Sequence, residues 1–308
     1  MVCMVDGPIL IESAGRRFSL SMIAIVLVAD LVGLPFSALT FSKANLVVCV
    51  AIASLFFVAP SLQRRYEFSP ATRYFAVEVY ILVLFGAVGF IFSYLAIENG
   101  WAIRDEWFAA IDRSLGFDWL RYTAFVLDHD WLRMASFFLY VLTPPLVGLA
   151  LLRACRHGHF NQASEIVATV IVGGILCVLF SGLLPSAGGS GFLVADAGFY
   201  GDRAVVFDSE YKRTFFELRD GTGMDVFLLR PAALIAFPSY HAALCLLVIL
   251  AFSGSGLLGW TVLALNVGTL LSLPVQGGHY LVDILGGLLI GAAAIWVVRR
   301  VARSETTA

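Results

Sequence analysis

The sequence predicts an all-α, polytopic transmembrane helical bundle of about eight spans with an interfacial amphipathic helix. Apolar residues make up 60% of the 308 residues, charged residues make up only 14%, and the mean hydropathy is +0.88. Soluble domains lie nearer to about 45–50% apolar and about 25% charged residues. A chain with so many apolar residues cannot cover a compact soluble fold with polar surface. Lipid must therefore be the solvent for most of the chain.

Eight apolar runs approach or exceed the roughly 20 residues that a helix needs to cross the hydrocarbon core. They are residues 18–41, 44–60, 74–97, 131–153, 163–185, 237–254, 257–276 and 279–299. The second run is short, and Pro144-Pro145 should kink the fourth. The first run is too long for a signal-peptide core and lacks a clear cleavage site, so we interpret it as an anchor. We therefore expect one integral-membrane domain over residues 1–308.

Arginines in the short loops predict the orientation of the bundle. With eight spans, the chain ends and short loops that contain these arginines all lie on one side of the membrane, which must be the cytoplasmic side. These residues are Arg16, Arg17, Arg64, Arg65, Arg73, Arg153, Arg156, Arg299, Arg300 and Arg303. We therefore expect both termini in the cytoplasm, the segments 98–130 and 186–236 outside, and a location in a bacterial inner or plasma membrane.

The two long outer segments differ in composition. Residues 101–127 place apolar side chains near helical spacing, opposite charged ones, which predicts a helix in the membrane interface; a solvated linker is the alternative. The apolar set is Trp101, Trp107, Phe108, Ile111, Leu115 and Trp119, and the charged set is Arg104, Asp105, Glu106, Asp112 and Arg113. Residues 186–203 are rich in Gly, Ser and Ala and predict irregular loop, whereas 204–230 predict a short outer helix.

Two classes of function are excluded by charge and cysteine content. The net charge of −2 supplies no basic footprint for a nucleic acid. The cysteines have no repeated spacing, so they are typical of small apolar residues rather than of a disulfide framework. They are Cys3, Cys49, Cys155, Cys177 and Cys245.

Two short motifs contain the residue types that phosphate chemistry needs. Residues 237–241, Phe-Pro-Ser-Tyr-His, open the sixth predicted span, and residues 277–283, Gly-Gly-His-Tyr-Leu-Val-Asp, open the eighth. By the predicted topology, both lie at the outer membrane surface. A helix N-terminus attracts anions through its unpaired N–H groups and its dipole. The Ser239 hydroxyl and the amides of Tyr240 and His241 could therefore hold a phosphate.

His279 and Asp283 are four residues apart, so they share one helix face. A carboxylate there can fix the imidazole tautomer and leave the other ring nitrogen free to attack. Asp283 lies one turn into a span, where an aspartate is costly unless it is paired, and His279 is its obvious partner. Either motif alone could belong to an ordinary helix start, but both at one membrane face favour catalysis. A zinc site is less favoured because nothing else clusters with these residues.

The pair PSYH and GGHYLVDILGG resembles the second and third motifs of the type-2 phosphatidic acid phosphatase superfamily. The third motif is most similar to the branch that contains inositolphosphorylceramide synthases, whose motif has the form HYxxDxxGG. The resemblance covers residues 237–291 well and the rest of the chain only by hydropathy. It implies a catalytic core over 163–300, with its motifs at 237–241 and 277–287.

The resemblance also implies a role for each motif residue. His279 would be the nucleophile that takes the phosphoryl group, and Asp283 would orient it. His241 would be a general acid and then a general base. Ser239 and the adjoining amide of Tyr240 would hold phosphate oxygens. No cofactor and no metal are implied.

Two cationic phosphate ligands of the superfamily are missing from their usual places. The first motif has a lysine seven residues before Arg-Pro, but Gly223 stands at that distance from Arg230-Pro231. The third motif usually opens with Ser-Arg and here reads Ser272-Leu273. The expected replacements are Arg219 and Arg230, with Lys212 and Arg213 as further options.

The resemblance implies an integral-membrane lipid phosphatase or phosphotransferase acting on a lipid phosphate or a phospholipid headgroup. The acceptor stays open between water and an alcohol, the latter as in an inositolphosphorylceramide-synthase-like transferase. A transporter or flippase is the alternative from another class, since Asp30 and Glu78 lie within predicted spans. Asp30 is near a span end and is expected to reach outer water. The lipid and the oligomeric state are not predicted.

Overall fold

Long apolar helices form the body of the protein in the computed structural model, in agreement with the predicted fold class. The structure describes residues 13–41, 43, 45, 51, 54, 68–98, 100–194, 199–200, 205–206, 209–221, 224–226 and 234–306. The helices are α1 (Ala14–Gly33), α2 (Pro70–Glu98), α3 (Asp105–Ser114), α4 (Trp119–Leu127), α5 (Asp130–Val141), α6 (Thr143–Arg156), α7 (Phe160–Leu183), α8 (Gly188–Phe192), α9 (Ser209–Arg219), α10 (Tyr240–Ala251), α11 (Leu257–Gln276) and α12 (Leu281–Thr306). Two three-residue strands, β1 (Leu39–Phe41) and β2 (Met224–Val226), pair in parallel.

Helix α7 is the central helix of the bundle. It is buried along most of its length and contacts α1, α2, α6, α10 and α12. Its apolar residues are not confined to one face, as is typical of a helix surrounded by others. Its 24 residues extend about 36 Å, so it connects the two ends of the bundle.

Among the residues that the structure describes, five helices are long and apolar enough to cross a membrane, and α5 with α6 makes a sixth if that bent pair counts as one span. The predicted second span, 44–60, lies almost entirely outside the described residues. Helix α10, within the predicted sixth span, has only 12 residues and extends about 18 Å. The predicted count of eight spans is therefore not confirmed.

The predicted kink in the fourth span is confirmed. Helix α5 ends at Val141, α6 begins at Thr143, and the two axes differ by 42°. Pro144 and Pro145 occupy the first turn of α6, where their missing N–H groups would have no intrahelical partner in any case. The predicted span is therefore two helices that meet just before the prolines.

The helix predicted over 101–127 is wrong in its extent, and its location in the membrane interface stays a prediction. Two helices, α3 and α4, fill this segment. The carboxylates of Asp105 and Asp112 are buried, whereas Trp107 is 56% exposed. The carboxylates turn inward because backbone N–H groups of other segments bind them, an interaction that hydropathy does not register.

A close helix crossing at Gly287 and Gly291 holds the N-terminal half of α12 against α10. A Cβ on Gly287 would overlap the carbonyl oxygen of Ser239, and one on Gly291 would lie 2.9 Å from the Ala243 carbonyl oxygen. Only glycine permits this approach. The crossing brings the start of α10 beside the start of α12.

A buried ion pair joins α1, α2 and α7 at the opposite end of the bundle. Arg16 Nε lies 2.8 Å from Glu78 Oε1, and both side chains are fully buried. Ser164 Oγ donates to the same carboxylate oxygen at 2.7 Å. The arginine also lies over the ring of Tyr74, with its Cζ 3.7 Å from the ring centroid. By contrast Asp30 is 1% exposed, so the expectation that it reaches water is wrong.

Replacing Glu78 with alanine should destabilise the protein, because it leaves the Arg16 charge buried without its carboxylate. The expected loss is about 3–5 kcal/mol of unfolding free energy. Thermal or denaturant unfolding in detergent micelles measures it, with Glu106→Ala, on the outer helix α3, as the control. A loss no larger than that of the control would contradict a stabilising role for the pair.

Candidate active site

The two predicted motifs meet at one end of the bundle. Ser239 Oγ lies 3.1 Å from His279 Nε2, across 40 residues of sequence. The main chain joins the same segments, since Ser239 N–H donates to the carbonyl oxygen of Asp283 at 2.9 Å. The two motif segments are therefore in direct contact.

Ser239 is placed by its position as the N-cap of α10. Its backbone is extended, and its hydroxyl oxygen accepts from the N–H of Ala242 at 3.4 Å. Serine is a preferred N-cap because this bond satisfies a helix amide that has no carbonyl partner. The side chain is fully buried. The hydroxyl is therefore fixed against the imidazole of His279.

His279 lies in the turn between α11 and α12 and is only 2% exposed. Trp119 Nε1 donates to its carbonyl oxygen at 3.0 Å, and its own N–H donates to the Leu273 carbonyl at 3.3 Å. Burial, followed by the charge of His241, lowers the pKa of His279. The ring is therefore neutral at ordinary pH, which is the form that can act as a nucleophile.

Asp283 lies behind the His279 ring, as the spacing of four predicts. Its Oδ2 is 3.5 Å from His279 Nδ1, which is an ion-pair contact too long for a good hydrogen bond. The same oxygen accepts from the N–H of Tyr280 at 2.8 Å. The carboxylate is thus fixed at the first turn of α12, on the side of the ring away from Ser239.

His241 and Tyr240 occupy the first turn of α10. The ring of His241 stacks on Tyr140, with 4.3 Å between the centroids. When His241 is protonated, its positive charge lowers the pKa of His279. The Tyr240 hydroxyl donates to the Val170 carbonyl at 2.8 Å. Only the amide of Tyr240 is therefore available for its predicted contact with phosphate.

Two carboxylates from the charged set of the predicted interfacial helix contact the segments around His279. Asp112 accepts from the N–H groups of Leu281 at 2.8 Å and Val282 at 3.0 Å, and so caps α12 from outside. Burial raises the pKa of Asp112, and these two hydrogen bonds oppose the shift. The residue thus fixes the N-terminus of the helix that follows His279.

Asp105 binds the second neighbouring segment in the same way. It accepts from Ser186 Oγ at 2.9 Å and from the N–H of Ala187 at 3.0 Å. It lies seven residues, or two turns, before Asp112 on α3, and this spacing is the signal that could have identified the pair. Both residues precede the catalytic core expected over 163–300.

The segment that Asp105 holds packs directly on the turn that contains His279. Gly189 N–H donates to the Gly278 carbonyl at 2.7 Å. Gly278 has φ +64°, which favours glycine, and a Cβ there would overlap the hydroxyl of Ser190. The residues predicted as irregular loop thus include α8, which contributes to the wall of the site.

Of the expected cationic ligands, Arg219 binds main-chain carbonyls of another segment. Arg219 donates through Nη1 to the Ile97 carbonyl at 3.1 Å and through Nη2 to the Trp101 carbonyl. Burial lowers its pKa, whereas the charges of Asp105 and Asp220 raise it. Arg230 lies outside the described residues. In the part of the chain that the structure describes, no group of three or more His, Cys, Asp or Glu could hold a metal ion.

Both motifs lie within a match to a known protein family. The sequence model of the PAP2 superfamily matches residues 106–297, more than half of the chain. The chain belongs to the PAP2 superfamily. No curated protein and no solved structure matches it. Membership in the PAP2 superfamily, together with the apolar helices, indicates a membrane phosphatase or phosphotransferase. The matched region includes both motifs and Asp112, but it begins one residue after Asp105.

Replacing Asp112 with alanine should lower phosphate release at least about tenfold, because uncapping α12 lets the His279 turn shift. The cap itself should contribute about 1 kcal/mol to stability. Asp118→Ala is the matched control, since Asp118 caps α4 through the N–H of Arg121. Thermal unfolding and phosphate release are measured for both variants. Equal activity in the two variants would show that Asp112 does not position the site.

Proposed function

We propose that this protein is an integral-membrane lipid phosphatase or phosphotransferase that works through a phospho-histidine intermediate at His279. The substrate is a lipid phosphate or a phospholipid headgroup. The observation that supports this proposal is the contact of Ser239 with His279 Nε2, with Asp283 behind the same ring. A phosphoryl group bound at Ser239 would lie directly in front of a neutral imidazole nitrogen.

The proposed reaction has two steps. His279 Nε2 attacks phosphorus, the bond from phosphorus to the leaving oxygen breaks, and His241 donates a proton to that oxygen. His241 then accepts a proton from the acceptor hydroxyl, whose oxygen attacks phosphorus while the bond to Nε2 breaks. Asp283 stabilises the positive charge that the His279 ring acquires. Ser239 and the Tyr240 amide hold the phosphate oxygens.

The acceptor in the second step distinguishes a phosphatase from a transferase. Water gives free phosphate, and a lipid alcohol gives a new phospholipid. The form of residues 279–287, HYLVDILGG, resembles the inositolphosphorylceramide synthase branch, and this supports transfer to an alcohol as the finer proposal. We place the site at the outer leaflet, because arginines of several short loops lie at the other end of the bundle.

The same contacts favour a second mechanism for the same function. Ser239, His279 and Asp283 follow one another in the order of a Ser-His-Asp triad, so Ser239 could be the nucleophile and His279 its base. The hydroxyl of Ser239, however, already accepts from Ala242 as the helix cap. We therefore assign the nucleophile to His279 and phosphate binding to Ser239.

Replacing His279 or His241 with alanine should lower turnover by at least about a hundredfold, because each removes a group that the mechanism needs. The purified protein is incubated with labelled phosphatidate or phosphatidylinositol, with and without ceramide as an alcohol. Free phosphate and new phospholipid are measured separately. His129→Ala, with an exposed imidazole, is the control. Wild-type rates in both variants on every lipid would reject the proposal.

The acid limb of kcat/KM should lie well below pH 6.5, the usual pKa of histidine. Because burial lowers the pKa of His279, its ring loses the lone pair needed for attack only when the pH falls through that lowered value. Steady-state rates from pH 4 to pH 8 measure the limb. A limb at or above 6.5 would contradict the role of a buried, neutral His279.

A further inference from the structure

The proposed phosphate site has an excess of negative charge around it. Three buried carboxylates, those of Asp105, Asp112 and Asp283, surround the turn that contains His279. A phosphate brings further negative charge, so the site needs positive charge and further hydrogen-bond donors. The inference below names these groups and rests on the function proposed above.

Arg104 is the first candidate. It directly precedes α3, and its N–H donates to the Pro185 carbonyl at 2.9 Å. Its Nε is buried without a hydrogen-bond partner, and no ion pair to its guanidinium occurs among the residues that the structure describes. Arg219 differs, since two of its nitrogens donate to main-chain carbonyls. Arg104 thus has unused donors.

Ser190 is the second candidate. It is 4% exposed, and its hydroxyl oxygen has no hydrogen-bond partner within the described ranges. The hydroxyl lies against Gly278, the residue before His279. A buried hydroxyl without a partner is uncommon in folded proteins. A bound ligand oxygen would supply that partner.

One segment connects the two candidates to the site. In the segment 185–189, Pro185 accepts a hydrogen bond from the Arg104 N–H, and Ser186 and Ala187 donate to the Asp105 carboxylate. Gly189 N–H donates to the Gly278 carbonyl, next to His279. We propose that Arg104 and Ser190 are phosphate ligands that complete the set begun by Ser239. Arg104 would supply positive charge and paired N–H donors, and Ser190 would donate one hydrogen bond.

Inorganic phosphate binding tests this inference without turnover. Its dissociation constant is measured by equilibrium titration of the purified full-length protein and of the variants Arg104→Gln and Ser190→Ala. We expect affinity to fall at least about tenfold for R104Q and about threefold for S190A. R104K should keep the charge but lose the paired donors and bind with intermediate affinity. The controls are Arg113→Gln and Ser114→Ala, which change two exposed residues of α3.

The outcomes separate this inference from the proposed function. If R104Q and S190A bind phosphate like the controls, the inference is wrong, even if His279→Ala abolishes turnover. If phosphate binding weakens as expected but the wild type acts on no lipid phosphate or phospholipid, the inference stands and the proposed function fails. If R104Q does not fold, the phosphate affinity of R104K is the test of Arg104. An R104K variant that binds phosphate with wild-type affinity would overturn the role of Arg104.

Discussion

The site depends on the contact between the N-terminal ends of α10 and α12. Gly287 lets the two helices approach until the main chain of Ser239 lies against α12, and the main-chain carbonyl oxygen of Asp283 accepts from the Ser239 N–H. This approach places the Ser239 hydroxyl on His279 Nε2. Two short segments that are remote in the sequence are thereby in contact, and a side chain at position 287 would separate them.

The outer helix α3 holds this contact in place. Its two buried carboxylates bind backbone N–H groups on both sides of the His279 turn. Asp112 accepts from two N–H groups at the start of α12, and Asp105 accepts from one N–H group in the segment before α8. At the other end of α7, the ion pair of Arg16 and Glu78 joins the helices that surround it. Polar groups thus fix both ends of a bundle whose middle is apolar.

The sequence predicts the parts of this arrangement that depend on local pattern. Hydropathy identifies the membrane class, the proline pair identifies the break between α5 and α6, and the motif spacing identifies His279 with Asp283. The roles of Asp105 and Asp112 were missed because their partners are main-chain amides of other segments: the spacing of the two residues places them on one helix face but does not identify those partners. The burial of Asp30 and Arg16 was missed for a related reason: hydropathy gives the depth of a residue but not the helix that packs on it.

The most direct test of the mechanism is the identity of the phosphorylated residue. The protein is quenched during turnover of a lipid phosphate labelled with ³²P at the phosphate, and the label is mapped by mass spectrometry and by its stability in acid and base. Our account predicts a label on His279 that acid removes and base does not, and that is absent from His279→Ala. An acid-stable label on Ser239 would contradict it and assign the attack to the serine.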